Sequence, residues 1–468
     1  MLFNSLHFLI FFPAVIILYY LLPFRFRWML LFAASCYFYM ALVPVYILIL
    51  FFIILLDYGA AILIEQQSGR PRKLLLVMSI IANVGLLAFF KYFNFANENL
   101  SWLLGIFNKH NPVENLNILL PIGLSFHTFQ SMAYTIEVYR GKQNAEKHLG
   151  HFANYVLFFP QMVAGPIERY DRLGKQLKTA QAVVYDNFAN GFRLILFGLF
   201  AKMAVADNLA PVVNEVYGDP AKYGSLSIAT AMLFFSFQIY ADFSGYSLIA
   251  LGAAKCMGID LIENFKTPYL AKNIGDFWKR WHISLSSWFR DYLYIPLGGN
   301  KEKLLRWCIN ILIVFVISGL WHGPSWTFVI WGLLHGLLYL SERGVNKILK
   351  INVESANIVF NAFRTVKTFL LVSVVWIFFR AESIGKVQEI AKAFLHNASL
   401  KDDLLIDPQT LILLAAFIVF DLMLFGKRID SRLSESGIVF RWSIYAVLIF
   451  AIMAMGGINK IPFIYFQF

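Results

Sequence analysis

Apolar stretches long enough to cross a lipid bilayer recur along the whole chain, and short charged segments separate them. The hydrocarbon core of a bilayer requires about 20 apolar residues per helix. On this spacing the sequence predicts an all-α polytopic membrane protein, whose first apolar stretch is a retained span rather than a removed signal peptide. The predicted spans lie near 6–24, 26–43, 45–64, 74–90, 118–136, 190–213, 226–254, 304–322, 324–341, 359–379, 406–426 and 438–458.

Proline and glycine interrupt three of the apolar stretches. Pro44 predicts a turn between the second and third spans, and Gly323-Pro324 divides an uncharged stretch into two spans. The segment 152–167, FANYVLFFPQMVAGPI, contains Pro160 and a Gly-Pro pair near its end. It is therefore predicted to be a broken helix or a re-entrant segment, and such backbone must be buried in protein or line a cavity.

The composition excludes most other classes of protein. Of 468 residues, 59% are hydrophobic and 15% charged, whereas soluble domains have about 25% charged residues. The net charge of +12 is compatible with nucleic-acid binding, but Lys and Arg concentrate on the connections that face the cytoplasm if the N-terminus is outside. We therefore expect no nucleic-acid partner. The cysteines show no paired spacing, so we expect neither disulfides nor a metal site; they are Cys36, Cys256 and Cys308.

The segment 264–303 is rich in both aromatic and basic residues. At helical spacing, Phe277, Trp281, Trp288 and Tyr292 fall on roughly one face, with basic residues beside it. One interpretation is an amphipathic helix lying at the membrane interface. The other is a site whose cations hold the phosphates of a nucleotide-bearing donor. The two interpretations are compatible.

The segment 316–336, VISGLWHGPSWTFVIWGLLHG, places a histidine in an apolar membrane segment. Such a residue is by default a functional candidate, although many hydrogen-bond between helices instead. His322 precedes the Gly-Pro break, whereas His335, beside Gly336 on the returning helix, better suits the hydrogen-bonded role between helices. A neutral imidazole can accept a hydroxyl proton and return it to a leaving group, which is what acyl transfer from a thioester to an alcohol requires. The motifs of serine hydrolases, zinc proteases and P-loop NTPases are absent from the sequence.

Two further polar insertions leave their roles open. Asp242, in a predicted span, is expected either to pair with a cation or to orient a histidine. His127 follows Pro121 and Gly123, and packing and function cannot be separated there.

Several long motifs resemble the membrane-bound O-acyltransferase superfamily, and within it the bacterial alginate O-acetyltransferase branch. They are DFWKRWHISLSSWFRDYLYIPLGGN, GLWHGPSWTFVIWGLLHG, FFPQMVAGPIERY, LPIGLSFHTFQSMAYTIEVYRG and the segment 240–274. The resemblance implies a ring of about 11–12 transmembrane helices, with re-entrant and in-plane helices, around a central channel. It also implies one membrane domain, with N-terminal helices in 1–117, a core with both histidine motifs in 118–380 and C-terminal helices in 381–468.

The resemblance implies His282 and His322 as the catalytic pair, with position 282 toward the cytoplasm and position 322 near the outer face. The implied acyl donor is cytoplasmic acetyl-coenzyme A, a substrate rather than a bound cofactor, and no metal is expected. Donor binding is assigned to Lys279, Arg280 and Arg290. Supporting roles are assigned to Asp276, Trp281, Asp291 and Tyr294.

The implied setting is the bacterial cytoplasmic (inner) membrane, in contact with membrane lipid. The expected acceptor is a cell-surface polysaccharide (alginate, peptidoglycan or another exopolysaccharide), modified with a periplasmic SGNH-type acetyltransferase as partner. The related teichoic-acid D-alanylation branch has similar histidine motifs, but the LYIPLGGN ending favours the acetyl branch. Two alternatives are a transporter or flippase, and a non-catalytic membrane subunit of a polysaccharide secretion complex. Many transporters show an internal two-fold repeat of hydropathy, and this sequence shows none, which disfavours the transporter.

Overall fold

The computed structural model describes residues 1–117, 121, 123–163, 165–349, 357–397, 406–457 and 463–464. Within these ranges all regular secondary structure is helical. The chain divides into two compact units, residues 1–188 with 253–262, and residues 189–252 with 263–468. The predicted subdivision at 117 and 380 stays a prediction.

The first unit is built mainly from residues 1–188, with a short segment at 253–262. A short 3-10 turn, Pro44–Tyr46, precedes its third helix, and a π-helical turn, Ala88–Tyr92, joins the fourth helix to the fifth. Its helices are α1 Leu6–Leu21, α2 Phe24–Met40, α3 Ile47–Gln66, α4 Gly69–Leu87, α5 Phe93–Ile106, α6 Leu124–Tyr139, α7 Leu149–Leu157 and α8 Tyr170–Leu177.

The second unit contains the rest of the helices, although the first of them begins before residue 189 and the third ends after residue 252. Two π-helical turns, Phe200–Ala206 and Arg290–Tyr294, and two 3-10 turns, Pro220–Lys222 and Pro268–Leu270, lie between them. The helices are α9 Tyr185–Leu199, α10 Asp207–Gly218, α11 Ser225–Cys256, α12 Ile274–Arg280, α13 Ile283–Phe289, α14 Leu304–His322, α15 Trp326–Ile348, α16 Ile358–Arg380, α17 Ile384–His396, α18 Pro408–Met423, α19 Ile429–Ser434 and α20 Ile438–Met455.

Within the described residues, 7 helices are long and apolar enough to cross a membrane, and α1 and α18 are shorter apolar helices. Three predicted spans correspond to helices outside this set of 7, because those helices are shorter or more polar. The spans are 26–43, 118–136 and 324–341, and the helices are α2, α6 and α15. The predicted span 74–90 lies within a longer helix, which runs from Gly69 to Ile106 over 38 residues. The chain is a multi-pass membrane protein.

The predicted chain breaks are confirmed. The turn at Pro44 separates α2 from α3, and α14 ends one residue before Gly323. In the segment 152–167, α7 ends at Leu157, and the described residues that follow form turns and bends without regular helix. Phe158 and Phe159 are fully buried there, so this irregular backbone is enclosed by protein, as its position in an apolar stretch requires.

Helices α14 and α15 form an antiparallel hairpin whose backbones approach closely at two glycines. A Cβ atom added at Gly319 would lie 2.2 Å from the carbonyl oxygen of Phe328, and one added at Gly332 would lie 2.2 Å from that of Phe315. Small residues permit this approach in membrane helices. The hairpin therefore has a fixed register, which sets the position of His322 at the end of α14.

We expect Gly319→Ala to destabilise the protein by about 1–3 kcal/mol, since the added methyl group forces the two backbones apart. Gly344 of α15 is the matched control, because a Cβ there would meet nothing within 4 Å. Gly344→Ala is expected to stabilise the helix by about 0.5–1 kcal/mol. Thermal unfolding of the two variants in detergent measures the difference. Equal shifts in the two variants would contradict the close approach.

Candidate active site

The segment 264–303 does not form one amphipathic helix. Helix α12 ends at Arg280, and α13 begins at Ile283. Between them His282 has φ 45° and ψ 53°, in the left-handed region. This conformation costs a residue other than glycine roughly 1–2 kcal/mol. The predicted single aromatic face is therefore wrong, because two short helices, separated at the left-handed residue His282, replace the continuous helix on which that face depends.

Asn264 holds the turn that carries His282. Its backbone oxygen accepts a hydrogen bond from the Ile283 N–H at 3.0 Å. Its side-chain Oδ1 accepts from the N–H of Ser284 at 3.2 Å and from the Ser284 hydroxyl at 2.7 Å. The Phe243 ring lies edge-on to the imidazole, with ring centroids 4.8 Å apart. These contacts fix the imidazole in the strained turn.

His322 is the last residue of α14, and aromatic side chains surround it. Its ring centroid lies 5.0 Å from that of Trp321, 5.1 Å from that of Trp331 and 5.3 Å from that of Phe379. Only 4% of the residue is exposed. Three elements position it, since Trp331 belongs to α15 and Phe379 to α16.

The ring centroids of His282 and His322 lie 6.3 Å apart. This corrects the expectation that the two histidines lie toward opposite faces of the membrane, because a hydrocarbon core is about 30 Å thick. The basic residues that flank position 282 favoured the same cytoplasmic depth as the family resemblance. The short helices α12 and α13 are not spans, so those charges do not determine the depth of His282.

Burial lowers the pKa of His282 to about 3, so its imidazole is neutral at neutral pH. A neutral imidazole offers one nitrogen as a proton acceptor and the other as a donor. His282 can therefore act as a neutral hydrogen-bond donor and acceptor at this buried position.

His335 is buried one helical turn along α15 from Trp331. Its ring centroid lies 4.9 Å from that of Trp331 and 5.0 Å from that of Trp278. It also stacks on Phe277 at 6.1 Å. The residue belongs to the aromatic packing between α12 and α15. Neither of its ring nitrogens has a hydrogen-bond partner among the described residues, so the structure shows packing rather than the predicted hydrogen bond between helices.

A cavity of about 580 Å³ lies in the second unit, next to the segment that carries His282. Asn264 and Phe265 line it, and the Phe265 ring lies 4.9 Å from Phe243, which contacts His282. The cavity also has polar and apolar walls from several helices. Its polar lining includes Ser244, Ser247, Thr267, Glu263, Lys266, Asp276, Arg280, Asp421, Lys427, Arg428 and Glu435.

The basic side chains of this cavity are paired with carboxylates. Arg280 Nε lies 2.9 Å from Asp276 Oδ1, and Arg428 Nε lies 3.4 Å from Glu263. Lys266 lies 3.8 Å from the same Glu263, and Lys427 pairs with Glu435. The lining therefore consists of ion pairs. An anionic ligand could bind their Lys and Arg side chains in place of the carboxylates.

The structure separates the sequence-predicted donor residues into two groups. Asp276 and Arg280 line the cavity. Lys279 and Arg290 are exposed and belong to no part of the described lining, so their donor-binding role stays a prediction.

The other three predicted residues make structural contacts. Trp281 is buried, with its ring centroid 5.0 Å from those of Phe265 and Trp376. Asp291 pairs with Arg290 at 2.8 Å. Tyr294 accepts a hydrogen bond from the Trp307 indole N–H at 3.0 Å.

Sequence reasoning missed three basic residues of the cavity, Lys266, Lys427 and Arg428. Lys266 stood in the quoted aromatic and basic segment, but it is remote from the histidine motif. Lys427 and Arg428 lie in the connection between the predicted spans 406–426 and 438–458, where basic residues are expected from membrane orientation alone. No spacing in the sequence connects that loop to residues 264–280, since only the fold of the second unit brings them together.

Comparisons with known proteins cover the part of the chain that contains both histidines. Residues 75–379 match the family model described as MBOAT, membrane-bound O-acyltransferase family. The chain is 38% identical to "Probable alginate O-acetylase AlgI" of Azotobacter vinelandii over 397 aligned residues. The alignment covers 82% of this chain and 76% of the relative.

Two other relatives carry different names. A "Peptidoglycan O-acetyltransferase" of Helicobacter pylori is 35% identical, over 79% of this chain and 73% of the relative. A "Teichoic acid D-alanyltransferase" of Bacillus subtilis is 32% identical, over 49% of this chain and 60% of the relative. The family model includes both histidines, and the alginate and peptidoglycan relatives each cover more than three quarters of the chain. The chain therefore belongs to the membrane-bound O-acyltransferase family and is an O-acyltransferase.

Proposed function

We propose that this enzyme transfers acetyl groups from cytoplasmic acetyl-coenzyme A through the bacterial inner membrane for O-acetylation of a cell-surface polysaccharide. Relatives named for alginate and for peptidoglycan acetylation support the acetyl group and the polysaccharide acceptor. A periplasmic SGNH-type transferase completes the transfer to the polymer in this proposal.

The single observation that carries the proposal is the proximity of two buried histidines beside a charged cavity. Their ring centroids lie 6.3 Å apart, which leaves a distance that a thioester or a hydroxyl group can bridge. Asn264 contributes both to the cavity lining and to the turn at His282. A donor held in the cavity would therefore place its reactive end near the pair.

In the proposed reaction, His322 accepts the proton of the acceptor hydroxyl as the oxygen attacks the thioester carbonyl carbon. The new C–O bond forms, the C–S bond breaks, and the thiolate of coenzyme A receives the proton that His322 took. His282 stays neutral and hydrogen-bonds to the reacting groups, because burial keeps its pKa low. The aromatic wall of Trp321, Trp331 and Phe379 excludes water, which suppresses hydrolysis of the thioester.

Purified enzyme in liposomes tests this function. Acetyl-coenzyme A labelled in the acetyl group is supplied on one side only, and a hydroxyl acceptor on the other. Release of free coenzyme A together with label on the acceptor supports the proposal. Movement of an unmodified polysaccharide without thioester cleavage would favour the transporter instead. Absence of both activities, in protein that is folded, would favour the non-catalytic subunit.

The donor site gives a second prediction. Arg280→Gln is expected to raise KM for acetyl-coenzyme A about tenfold with little change in kcat, since a charge-assisted hydrogen bond to phosphate is lost. Arg290→Gln is the comparison, because Arg290 is also a predicted donor residue and each arginine pairs with a nearby aspartate, at 2.9 and 2.8 Å. Since only Arg280 lines the cavity, we expect a smaller rise in KM for Arg290→Gln. Initial rates against donor concentration give both constants. An equal rise in KM for the two variants would show that the donor site is not confined to the cavity.

A further inference from the structure

A carboxyl group that the acyl transfer does not use is buried in the first unit. Asp57 lies in the middle of α3, within a candidate membrane span, and is fully buried. An ionised carboxylate in such a place costs several kcal/mol unless a positive charge or a proton compensates it.

The partners of Asp57 are hydroxyl and amide groups from two neighbouring helices. The Ser79 hydroxyl donates to Oδ1 at 2.5 Å, and Asn83 Nδ2 lies 3.0 Å from each carboxylate oxygen. Ser131 and Thr135 of α6 lie near the carboxyl group. The Thr135 hydroxyl donates to the Ser131 carbonyl oxygen at 3.4 Å, and Ser131 Oγ is buried with no hydrogen-bond partner among the described residues. Helices α3, α4 and α6 pack against one another around this cluster.

The charged side chains of the helices around Asp57 make their contacts elsewhere. Within the described ranges no lysine or arginine forms an ion pair with it; the neighbouring contacts are those of Glu65 with Lys147, Glu137 with Arg140 and Lys142, and Arg72 with the carbonyl oxygens of Val138 and Tyr139. On α7, which also packs against α3, His151 stacks against His148. The negative charge of Asp57 is therefore not balanced by a described side chain.

One further atom indicates a ligand. Asn83 is fully buried, and its Oδ1 atom accepts no hydrogen bond from the described residues. Buried carbonyl oxygens are normally satisfied. With the carboxylate, the cluster presents oxygen atoms of Asp57, Asn83, Ser79, Ser131 and Thr135, and hard cations prefer oxygen ligands of this kind.

We propose that Asp57 and these oxygen atoms bind one monovalent metal cation, of which sodium is the physiological example. A single carboxylate balances a single positive charge, whereas a divalent ion would leave a buried net charge of +1. The bound cation neutralises Asp57 and joins α3, α4 and α6, so that ion binding stabilises the packing of the first unit. The proposal does not depend on the acetyl donor or on the roles of His282 and His322.

The test uses the purified full chain in detergent, with radioactive sodium as the probe. We expect saturable binding of about one sodium per chain, and a rise in the unfolding temperature on the order of 5 °C when choline is replaced by sodium at constant ionic strength and pH. Asp57→Asn should abolish both effects. Asp171→Asn, at an exposed position of α8, should leave both unchanged.

A second variant covers the case in which Asp57→Asn does not fold. Ser131→Ala keeps the carboxylate and removes one ligand, so it should raise the sodium concentration for half-maximal binding several-fold. If wild-type protein binds no sodium and is instead stabilised by acid in a manner that Asp57→Asn removes, Asp57 carries a proton and the proposal is overturned. Sodium binding that persists unchanged in both variants would also overturn it.

Discussion

His322→Gln is expected to reduce kcat for acetyl transfer by about 10²- to 10⁴-fold, the usual contribution of a positioned general acid-base group. Glutamine keeps the approximate size and the hydrogen-bonding ability of the side chain but cannot exchange a proton. The residue is buried among Trp321, Trp331 and Phe379, so some loss of stability will accompany the change. The measurement therefore needs kcat and the unfolding temperature of the same preparation.

His335→Gln is the matched control for this prediction. Both histidines are buried, and both contact the Trp331 ring, at centroid distances of 5.1 and 4.9 Å. The two substitutions should lower the unfolding temperature by similar amounts, while only His322→Gln loses the chemical step. A comparable loss of kcat in both variants would assign the effect to the aromatic packing rather than to the imidazole of His322.

The sequence predicted the parts of this fold that depend on local hydrophobicity. The spans, the break at Gly323 and the irregular segment after Leu157 follow from apolar length, proline and glycine, whose effects act within a few residues. The continuation of the α4 helix into α5 was not predicted, because the first two turns of α5 carry Asn94, Asn97 and Asn99, which depart from the apolar pattern of a span.

The candidate site could be predicted only in part, for a physical reason. His282 and His322 each lie in a recognisable local motif, but their separation depends on the left-handed turn at His282, which Asn264 holds from outside the helical segment. The spacing of Phe277, Trp281, Trp288 and Tyr292 indicated a continuous helix, and no propensity signalled its interruption. The cations of Lys427 and Arg428 reach the cavity only through tertiary packing.

The buried ion-pair cluster of the second unit decides one of the open sequence alternatives. Asp242 pairs with a cation, since Lys202 Nζ lies 2.9 Å from Asp242 Oδ1 and 2.8 Å from Asp207 Oδ1. The Ile464 N–H donates to the other oxygen of Asp242 at 2.7 Å. Lys202 is completely buried, in the π-helical turn that follows α9.

Lys202→Met is expected to destabilise the protein by about 3–5 kcal/mol, because removing one partner of a buried pair leaves uncompensated charge behind. Here two carboxylates would remain. Lys222→Met is the matched control: Lys222 pairs with Asp219 at 2.7 Å, but its side chain is 75% exposed, so its loss should hardly change stability. Thermal unfolding of the two variants in detergent gives the comparison.

Neutralising the carboxylates separates the electrostatic contribution from packing. The triple variant Lys202→Met, Asp207→Asn, Asp242→Asn should recover much of the stability lost in Lys202→Met, since neutral groups no longer carry the cost of buried charge. Activity should recover with it, because Asp242 precedes Phe243, whose ring lies 4.8 Å from that of His282. If the triple variant is instead less stable than Lys202→Met alone, the charges themselves hold α10 and α11 in place, and the cluster is a net source of stability.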